Sequence, residues 1–274
     1  MTVRENTDNM SELRQNSWWI GFGNLLRKEN HEWWGTKRWI KQALLWLFIS
    51  AAFPSLLMFG QSLLPSLDAA NGTGPVIDPI DAGINLYLIA AMTGVAIGIA
   101  LFAQGQVIDE MMTGTAEWVL SKPIARSAFL LAKFTSTTFS ALILMIVVPG
   151  LVMYALLSLK LGTPFPTGPY LVVVGLIVLN TLFYLALTFL LSTITISRGL
   201  VLGVVIGLVF GSQLILQLMP ELTNLTPWGL MVWSRMVGSG MPLSSDILQP
   251  VGITILLTIA CIGFAVAYFE RTEF

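Results

Sequence analysis

Residues 84–126 read INLYLIAAMTGVAIGIALFAQGQVIDEMMTGTAEWVLSKPIAR. The first part of this stretch, Ile84 to Ala103, is uncharged and long enough to cross the roughly 30 Å hydrocarbon core of a bilayer as a helix. The second part, Asp109 to Arg126, is polar and has more pattern than an ordinary connecting loop. The stretch therefore predicts a membrane-spanning helix followed by a structured segment in water.

The composition of the whole chain is that of an integral membrane protein. Hydrophobic residues make up 55% of the 274 residues, charged residues make up 11%, and the mean hydropathy is +0.78. An ordinary soluble domain has roughly 25% charged residues. Six uncharged apolar stretches are long enough to span a membrane, at residues 43–64, 84–103, 134–159, 170–191, 199–218 and 251–269.

These stretches predict the fold class. Because the bilayer core offers no hydrogen-bond partner to a bare peptide group, spans of this length are expected to be helices. We therefore predict an all-α integral membrane protein with six transmembrane helices. Residues 1–42 form an N-terminal segment, and residues 43–274 form the membrane domain.

The distribution of basic residues predicts the orientation of the chain. Lysine and arginine are retained on the cytoplasmic side of short loops. Apart from Lys160 and Arg235, all of them fall in the N-terminal segment, in the links after the second and fourth spans, or in the C-terminal tail. The loop after the first span contains three aspartates and no basic residue. Both termini are therefore predicted to be cytoplasmic.

Several classes of function are disfavoured by what the sequence lacks. None of the six stretches contains Asp, Glu, Lys, Arg or His, whereas proton pumps and ion-coupled carriers place such residues at membrane depth. The same absence disfavours an intramembrane enzyme, because no base is present to activate a nucleophile. The single cysteine, Cys261, and the single histidine, His31, disfavour a metal site, and a net charge of -1 disfavours nucleic-acid binding.

The second half of the N-terminal segment, residues 18–39, is rich in tryptophan. Its aromatic and leucine residues alternate with charged ones, which include Arg27, Lys28 and Glu29. This pattern predicts an amphipathic helix in the headgroup layer, with the indoles at the interface and the cations towards water. A simple membrane anchor and a contact for a cytoplasmic partner both fit the pattern.

The segment after the second span has helical periodicity. From Val107 to Leu120, apolar residues recur at steps of three and four, which predicts a helix with one apolar face. Pro123 ends this helix, and a turn at residues 121–123 is predicted to reverse the chain. Three acidic residues fall off the apolar face: Asp109, Glu110 and Glu117. The segment therefore predicts a helical hairpin on the cytoplasmic surface; a solvated loop whose charges only fix topology is the alternative.

This hairpin segment resembles a signature of the permeases of ABC type-2 transporters, written E…GT.E.LLS.P..R……K, which lies between their second and third spans. The matching residues are Glu110, Gly114, Thr115, Glu117, Leu120, Ser121, Pro123, Arg126 and Lys133. The run Leu25 to Glu29 similarly resembles the L.RKE element before the first span of that family. One departure is Ala116, where a larger apolar residue is more usual. With six spans and both ends inside, the resemblance covers most of the chain.

The resemblance implies a permease subunit of an ATP-driven exporter in a prokaryotic plasma or inner membrane. It implies pairing with a second copy or a sister permease, and docking of the hairpin on cytoplasmic subunits that bind ATP and magnesium. This chain is expected to bind no cofactor and to carry no catalytic or metal-binding residue; its sequence contains no G-x-x-x-x-G-K-[ST] P-loop. A non-transporting membrane scaffold or assembly factor of the same topology is the alternative.

Glycines mark one side of the fifth span. They recur every four residues, at Gly199, Gly203, Gly207 and Gly211, and such spacing allows another helix to approach closely. Packing within the subunit and a permease-permease interface or moving helix pair both fit. A shorter pair, Gly94 and Gly98, lies in the second span.

The link between the fifth and sixth spans, residues 219–250, contains signals for a short helix. Thr226 is predicted as its N-cap, Pro227 as its first residue and Gly238 as its end. Such a helix resembles the outer re-entrant helices of the same family, which could cover an exit pathway; a passive interfacial anchor is the alternative.

The neutral polar residues of the spans give little information about the substrate. Hydrogen bonds between helices, worth about 0.6 kcal/mol each, account for most of them. A pore lined by such groups would suit an amphiphilic molecule or a peptide. The residues concerned are Gln61, Asn85, Thr93, Asn180, Thr188, Gln213 and Gln217.

Overall fold

A computed structural model describes residues 19–63 and 78–272 of the chain. Within those ranges the secondary structure is helical, without strands. Six helices are long and apolar enough to span a membrane: α2 (Arg38–Gly60), α3 (Pro79–Met112), α5 (Arg126–Leu161), α6 (Thr167–Ile194), α7 (Arg198–Leu218) and α9 (Ser245–Arg271). Shorter helices precede or connect them: α1 (Phe22–Trp34), α4 (Thr115–Leu120) and α8 (Gly229–Gly238). The predicted all-α fold with six apolar spans is confirmed.

The helices match the predicted spans but several extend beyond them. Helix α3 begins at Pro79, before the predicted Ile84, because the Asp78 carboxylate accepts a hydrogen bond from the Ile80 amide (2.9 Å) and caps the helix. It continues past Ala103 to Met112, and α5 begins well before the predicted residue 134. The predicted end of the first span, Leu64, lies outside the described residues.

The core of the molecule lies around α3 and α6, which are the most buried of the spans. Helix α2 approaches α3 closely at Gly98, where a Cβ atom would lie 2.2 Å from Cζ2 of Trp46. The Trp46 ring is buried there. Gly94, by contrast, has nothing within 4 Å of the position of a Cβ atom. Of the predicted glycine pair, Gly98 is therefore the one that serves close packing.

Two polar side chains of α6 show different kinds of hydrogen bond. The Asn180 amide on α6 donates to the Met92 carbonyl on α3 (3.1 Å), a bond between helices of the expected kind. The Thr188 hydroxyl instead donates to the Tyr184 carbonyl of its own helix (2.7 Å), so the interhelical prediction is wrong there. A threonine in a helix reaches the carbonyl four residues earlier without any neighbouring helix.

One end of the bundle collects four separate parts of the chain, and we call it the hairpin end. The Ala125 amide after α4 donates to the Ile20 carbonyl before α1 (3.2 Å). The Arg198 guanidinium at the start of α7 is paired with the Asp109 carboxylate near the end of α3. The Arg126 guanidinium donates to the Glu270 carbonyl (3.0 Å) at the end of α9. The segment before α1 and the end of α9 therefore lie on the same side, as the predicted topology requires.

The short helix in the link between α7 and α9 begins later than predicted. Helix α8 starts at Gly229, and Thr226 does not cap it, because the Thr226 hydroxyl donates to the Leu222 carbonyl (2.8 Å) of the preceding turn. Its end at Gly238 is as predicted. The helix packs onto α6 and buries Leu230 and Val237.

Candidate functional site

The hairpin between α3 and α5 consists of two helices, and the single helix predicted over Val107 to Leu120 is wrong. Helix α3 ends at Met112, and Gly114 adopts a left-handed conformation (φ 69°) before α4 begins at Thr115. A residue with a side chain rarely adopts this conformation, so the glycine sets the bend between the two helices. The chain then turns at residues 121–123, as predicted, and enters α5.

The tip of the hairpin exposes apolar surface. The side chains of Met112 and Trp118 are 66% and 64% exposed, and Glu117 and Pro123 beside them are also exposed. The Lys122 ammonium lies 3.9 Å from the centroid of the Trp118 ring. Exposed apolar groups next to charged ones are typical of protein contact surfaces. We refer to Met112, Glu117, Trp118 and Pro123 as the tip surface.

The opposite face of α4 is anchored in the bundle. Ala116 is fully buried and Val119 is 7% exposed, and both belong to the main core. The small residue that departs from the family pattern therefore lies at a packed position. Helix α4 therefore exposes one side and packs its other side against the core.

The base of the hairpin contains a cluster of four charged residues. The Lys133 ammonium on α5 lies 3.0 Å from Oε1 of Glu29 on α1 and 2.9 Å from Oε1 of Glu110 on α3. The Lys28 ammonium lies 3.4 Å from the same Glu110 oxygen and 3.6 Å from that of Glu29. We call these four residues the ion cluster. It joins α1, α3 and α5 at one point.

The cluster is balanced in charge and largely buried. Two lysines face two glutamates, and the side chains of Lys133 and Glu29 are 2% and 3% exposed. Burial alone would lower the pKa of Lys28, but the nearby Glu110 and Glu29 carboxylates outweigh it, and the pKa lies above its usual value. The charged form of the Lys28 ammonium is therefore favoured at this position.

The sequence did not predict the contacts of Glu29 and Glu110: it placed Glu110 off the apolar face of its helix and Glu29 in an N-terminal element that resembles the family. The partners are distant in sequence, since Lys133 and Glu29 are 104 positions apart, so no local pattern could pair them. One signal was present: Glu29 lies four residues from both Leu25 and Trp33, and these three are the buried residues of α1. A charge on the buried face of an amphipathic helix indicates a partner in another element.

The remaining predicted hairpin residues support its shape. The Ser121 hydroxyl donates to the Trp118 carbonyl (2.8 Å), the Thr115 and Thr113 hydroxyls are hydrogen-bonded (2.8 Å), and Leu120 packs against the core. Arg126 reaches a second carbonyl at Thr272 (2.5 Å). Arg27 of the N-terminal element is exposed, unlike Glu29.

The glycines of the fifth span lie on the outside of the molecule. A Cβ atom at any of the four would have nothing within 4 Å: Gly199, Gly203, Gly207 and Gly211. Within the described part of the chain, no other element packs against this face. Helix α7 buries its other side, including Val201, Val205 and Val209.

Comparison with known proteins gives the family. A family model described as ABC-2 family transporter protein matches residues 6–229, which is most of the chain and includes α1 to α7 and the hairpin. No curated protein matches the sequence significantly. The chain belongs to the ABC-2 transporter family and is a multi-pass ABC transporter permease with six apolar spans.

Proposed function

We propose that this chain is the membrane subunit of an ATP-driven exporter, and that its hairpin docks on a separate cytoplasmic subunit that binds ATP and magnesium. The observation that carries the proposal is the tip surface: two large apolar side chains, Met112 and Trp118, are exposed on either side of the bend at Gly114, in the segment that resembles the family signature. Apolar surface of this kind is favourable to bury in a partner.

The ion cluster is suited to transmit movement from the tip to the membrane. It connects the hairpin end of α3 and the first turns of α5 to α1, and Lys133 at its centre is buried. Separating these charges would leave them unpaired in a poorly solvated place, which is costly. A displacement of the hairpin is therefore expected to move α1, α3 and α5 together. In this proposal Lys28 and Glu29 hold the hairpin, and the exposed Arg27 remains available to a cytoplasmic partner.

The exposed glycine face of α7 is the proposed contact with a second copy or a sister permease. Lipid makes few favourable contacts with a surface of glycines. Another helix can approach such a surface closely and make dispersion contacts with it. In this proposal, two such permeases and two ATP-binding subunits form the complete transporter, in a prokaryotic plasma or inner membrane.

Co-purification tests the central claim. The tagged protein is extracted from its native membrane in mild detergent, and the proteins that accompany it in stoichiometric amount are identified by mass spectrometry. We expect an ATP-binding subunit with the wild type, and its loss with Glu117→Lys. Pro123→Ala is expected to insert normally but to uncouple ATP hydrolysis from transport.

The matched control is Glu221→Lys, which makes the same charge reversal at an exposed position in the link between α7 and α8. It should keep the ATP-binding subunit. If Glu117→Lys and Pro123→Ala both retain the subunit and full transport, the docking role of the hairpin is wrong. If the wild type is cleanly solubilised with no ATP-binding subunit, the scaffold or assembly factor is favoured instead.

A further inference from the structure

A cavity of about 300 Å³ lies between α1, the start of α2 and the part of α3 nearest the hairpin end. Trp33 and Phe102 form apolar parts of its wall, and their rings are in edge contact at a centroid distance of 6.5 Å. Polar groups line the rest: Arg38, Lys41 and Gln42 of α2 and Gln106 of α3. The cavity is separate from the ion cluster, and none of its lining residues belongs to the tip surface.

The electrostatics of the cavity favour an anion with a single charge. Arg38 is paired with Glu32, which also lines the cavity, at a distance of 3.1 Å. That pair is neutral overall but leaves other guanidinium N–H groups available as donors. Lys41 has no ion-pair partner within the described ranges of the chain, so it contributes one net positive charge.

The cavity also has an unsatisfied polar group. The Gln42 side-chain oxygen is buried and accepts no hydrogen bond from any residue that the structure describes. Buried polar atoms are normally satisfied, and a turn of the Gln42 side chain towards the cavity would allow a hydroxyl group there to satisfy this one. Hydrogen-bonding capacity beside a single positive charge suits a phosphodiester whose headgroup carries hydroxyl groups.

Apolar surface continues from the cations along the same helix. Leu44, Leu45 and Phe48 of α2 follow Lys41 and are 65%, 46% and 60% exposed. On α3, Leu101 next to Phe102 is 54% exposed. Cations at the start of a span and exposed apolar side chains further along it match the two parts of a lipid molecule.

We propose that this cavity binds the headgroup of a singly anionic phospholipid from the leaflet at the hairpin end, with Lys41 and Arg38 on the phosphate and the acyl chains along α2. Lysine and arginine are the usual ligands of phosphate oxygens. The bound lipid would lie between α1 and α2 and fix the angle between them. This inference does not depend on the ATP-binding partner or on transport.

Native mass spectrometry of the purified full-length protein tests it, with phosphatidylglycerol as the probe and phosphatidylcholine as the zwitterionic reference. We expect the wild type to retain phosphatidylglycerol preferentially. Lys41→Gln should weaken binding about fivefold, the effect of one cation at a lipid surface, and Arg38→Gln/Lys41→Gln should weaken it further.

The matched control is Arg27→Gln/Lys37→Gln, which removes the same charge from two exposed residues that do not line the cavity. It should bind like the wild type. Lys41→Gln changes an exposed side chain, so this single variant is expected to fold and can test the proposal even if the double cavity variant does not fold. Gel-filtration profiles check the folding of each variant.

Three results would overturn the proposal. Phosphatidylglycerol binding could be weakened equally by the double cavity variant and the double control variant, which would indicate general attraction by charge. It could be unchanged in Lys41→Gln and in the folded double cavity variant, or the wild type could retain phosphatidylcholine equally well. A fourth arm uses soluble glycerol 3-phosphate. If it binds as strongly as phosphatidylglycerol, the cavity takes a free anion and the lipid assignment is wrong.

Discussion

Lys133 shows how a single buried charge can specify contacts between distant elements. An ammonium group with only 2% exposure is tolerated because two carboxylates lie within 3.0 Å of it. Ion pairs at an exposed surface contribute little, but removing one partner of a buried pair leaves an uncompensated charge. The position of α1 on the bundle therefore depends on this side chain.

We predict that Lys133→Met lowers the free energy of unfolding by about 3 kcal/mol, because Glu29 and Glu110 then repel each other in a poorly solvated site. Denaturant unfolding in mixed micelles measures the change. Lys133→Met/Glu110→Gln should recover part of the loss. Lys37→Met, at an exposed lysine, is the control; a loss as large in this control would contradict the assignment.

The raised pKa of Lys28 predicts how stability depends on pH. Because the pKa in the folded protein is above the ordinary value of 10.5, the stabilisation from its charged state is complete below about pH 10.5 and is lost as the pH rises through the folded value. The melting temperature of Lys28→Gln should therefore lie below that of the wild type at pH 8, and the gap should narrow above pH 10.5. A gap that stays constant across this range would exclude the linkage.

At the residue scale, the sequence predicts which groups matter better than it predicts what they touch. Glu110, Glu29 and Lys28 were selected from the family resemblance, but none of their contacts with one another was predicted. Pairing across 82 residues, as between Lys28 and Glu110, depends on the tertiary arrangement and cannot be obtained from periodicity.

At the element scale, long apolar helices were predictable because the thickness of a bilayer fixes their length. The ends of the helices were less predictable, because they depend on local hydrogen bonds. The Asp78 cap lengthens α3, and the Thr226 hydroxyl bonds backwards instead of capping α8. Apolar periodicity ran through Gly114 without a break, although a glycine there permits the bend that separates α3 from α4.

The contact between α2 and α3 gives a prediction with an internal control. Gly98→Ala would place a methyl group 2.2 Å from a carbon of the buried Trp46 ring, and overpacking of this kind costs about 1–3 kcal/mol. Gly94→Ala lies on the same helix with open space around it, and it should be neutral or stabilising by up to about 1 kcal/mol because alanine favours helix.

Thermal unfolding of both alanine variants in one detergent makes the comparison. A melting temperature that falls for Gly98→Ala and not for Gly94→Ala is the expected result. Equal changes in the two variants would mean that the close approach of Trp46 does not limit the packing of α2 on α3.

At the scale of the whole molecule, burial is unevenly distributed among the spans. Helices α3 and α6 are well covered by the rest of the chain, whereas α7 and α9 are the least buried. The spacing of the α7 glycines in the sequence places them on one side of the helix. It does not show what that side contacts. The structure places that side outwards, which makes it available to a second permease.

The last prediction distinguishes a glycine face that binds a second permease from a surface that only contacts lipid. Gly207→Leu adds a large side chain to the glycine face, and if a second copy packs there, overpacking by about 1–3 kcal/mol should weaken association about five- to hundredfold. Gly252→Leu makes the same change on α9, at an exposed glycine with equally open surroundings. Both substitutions raise helix propensity alike, so the folding of the single chain should respond equally. Native mass spectrometry over a dilution series measures the fraction of dimer, or of the complex with a sister permease. Selective dissociation in Gly207→Leu places the interface on α7, whereas equal dissociation, or none in either variant, means that the glycine face contacts lipid.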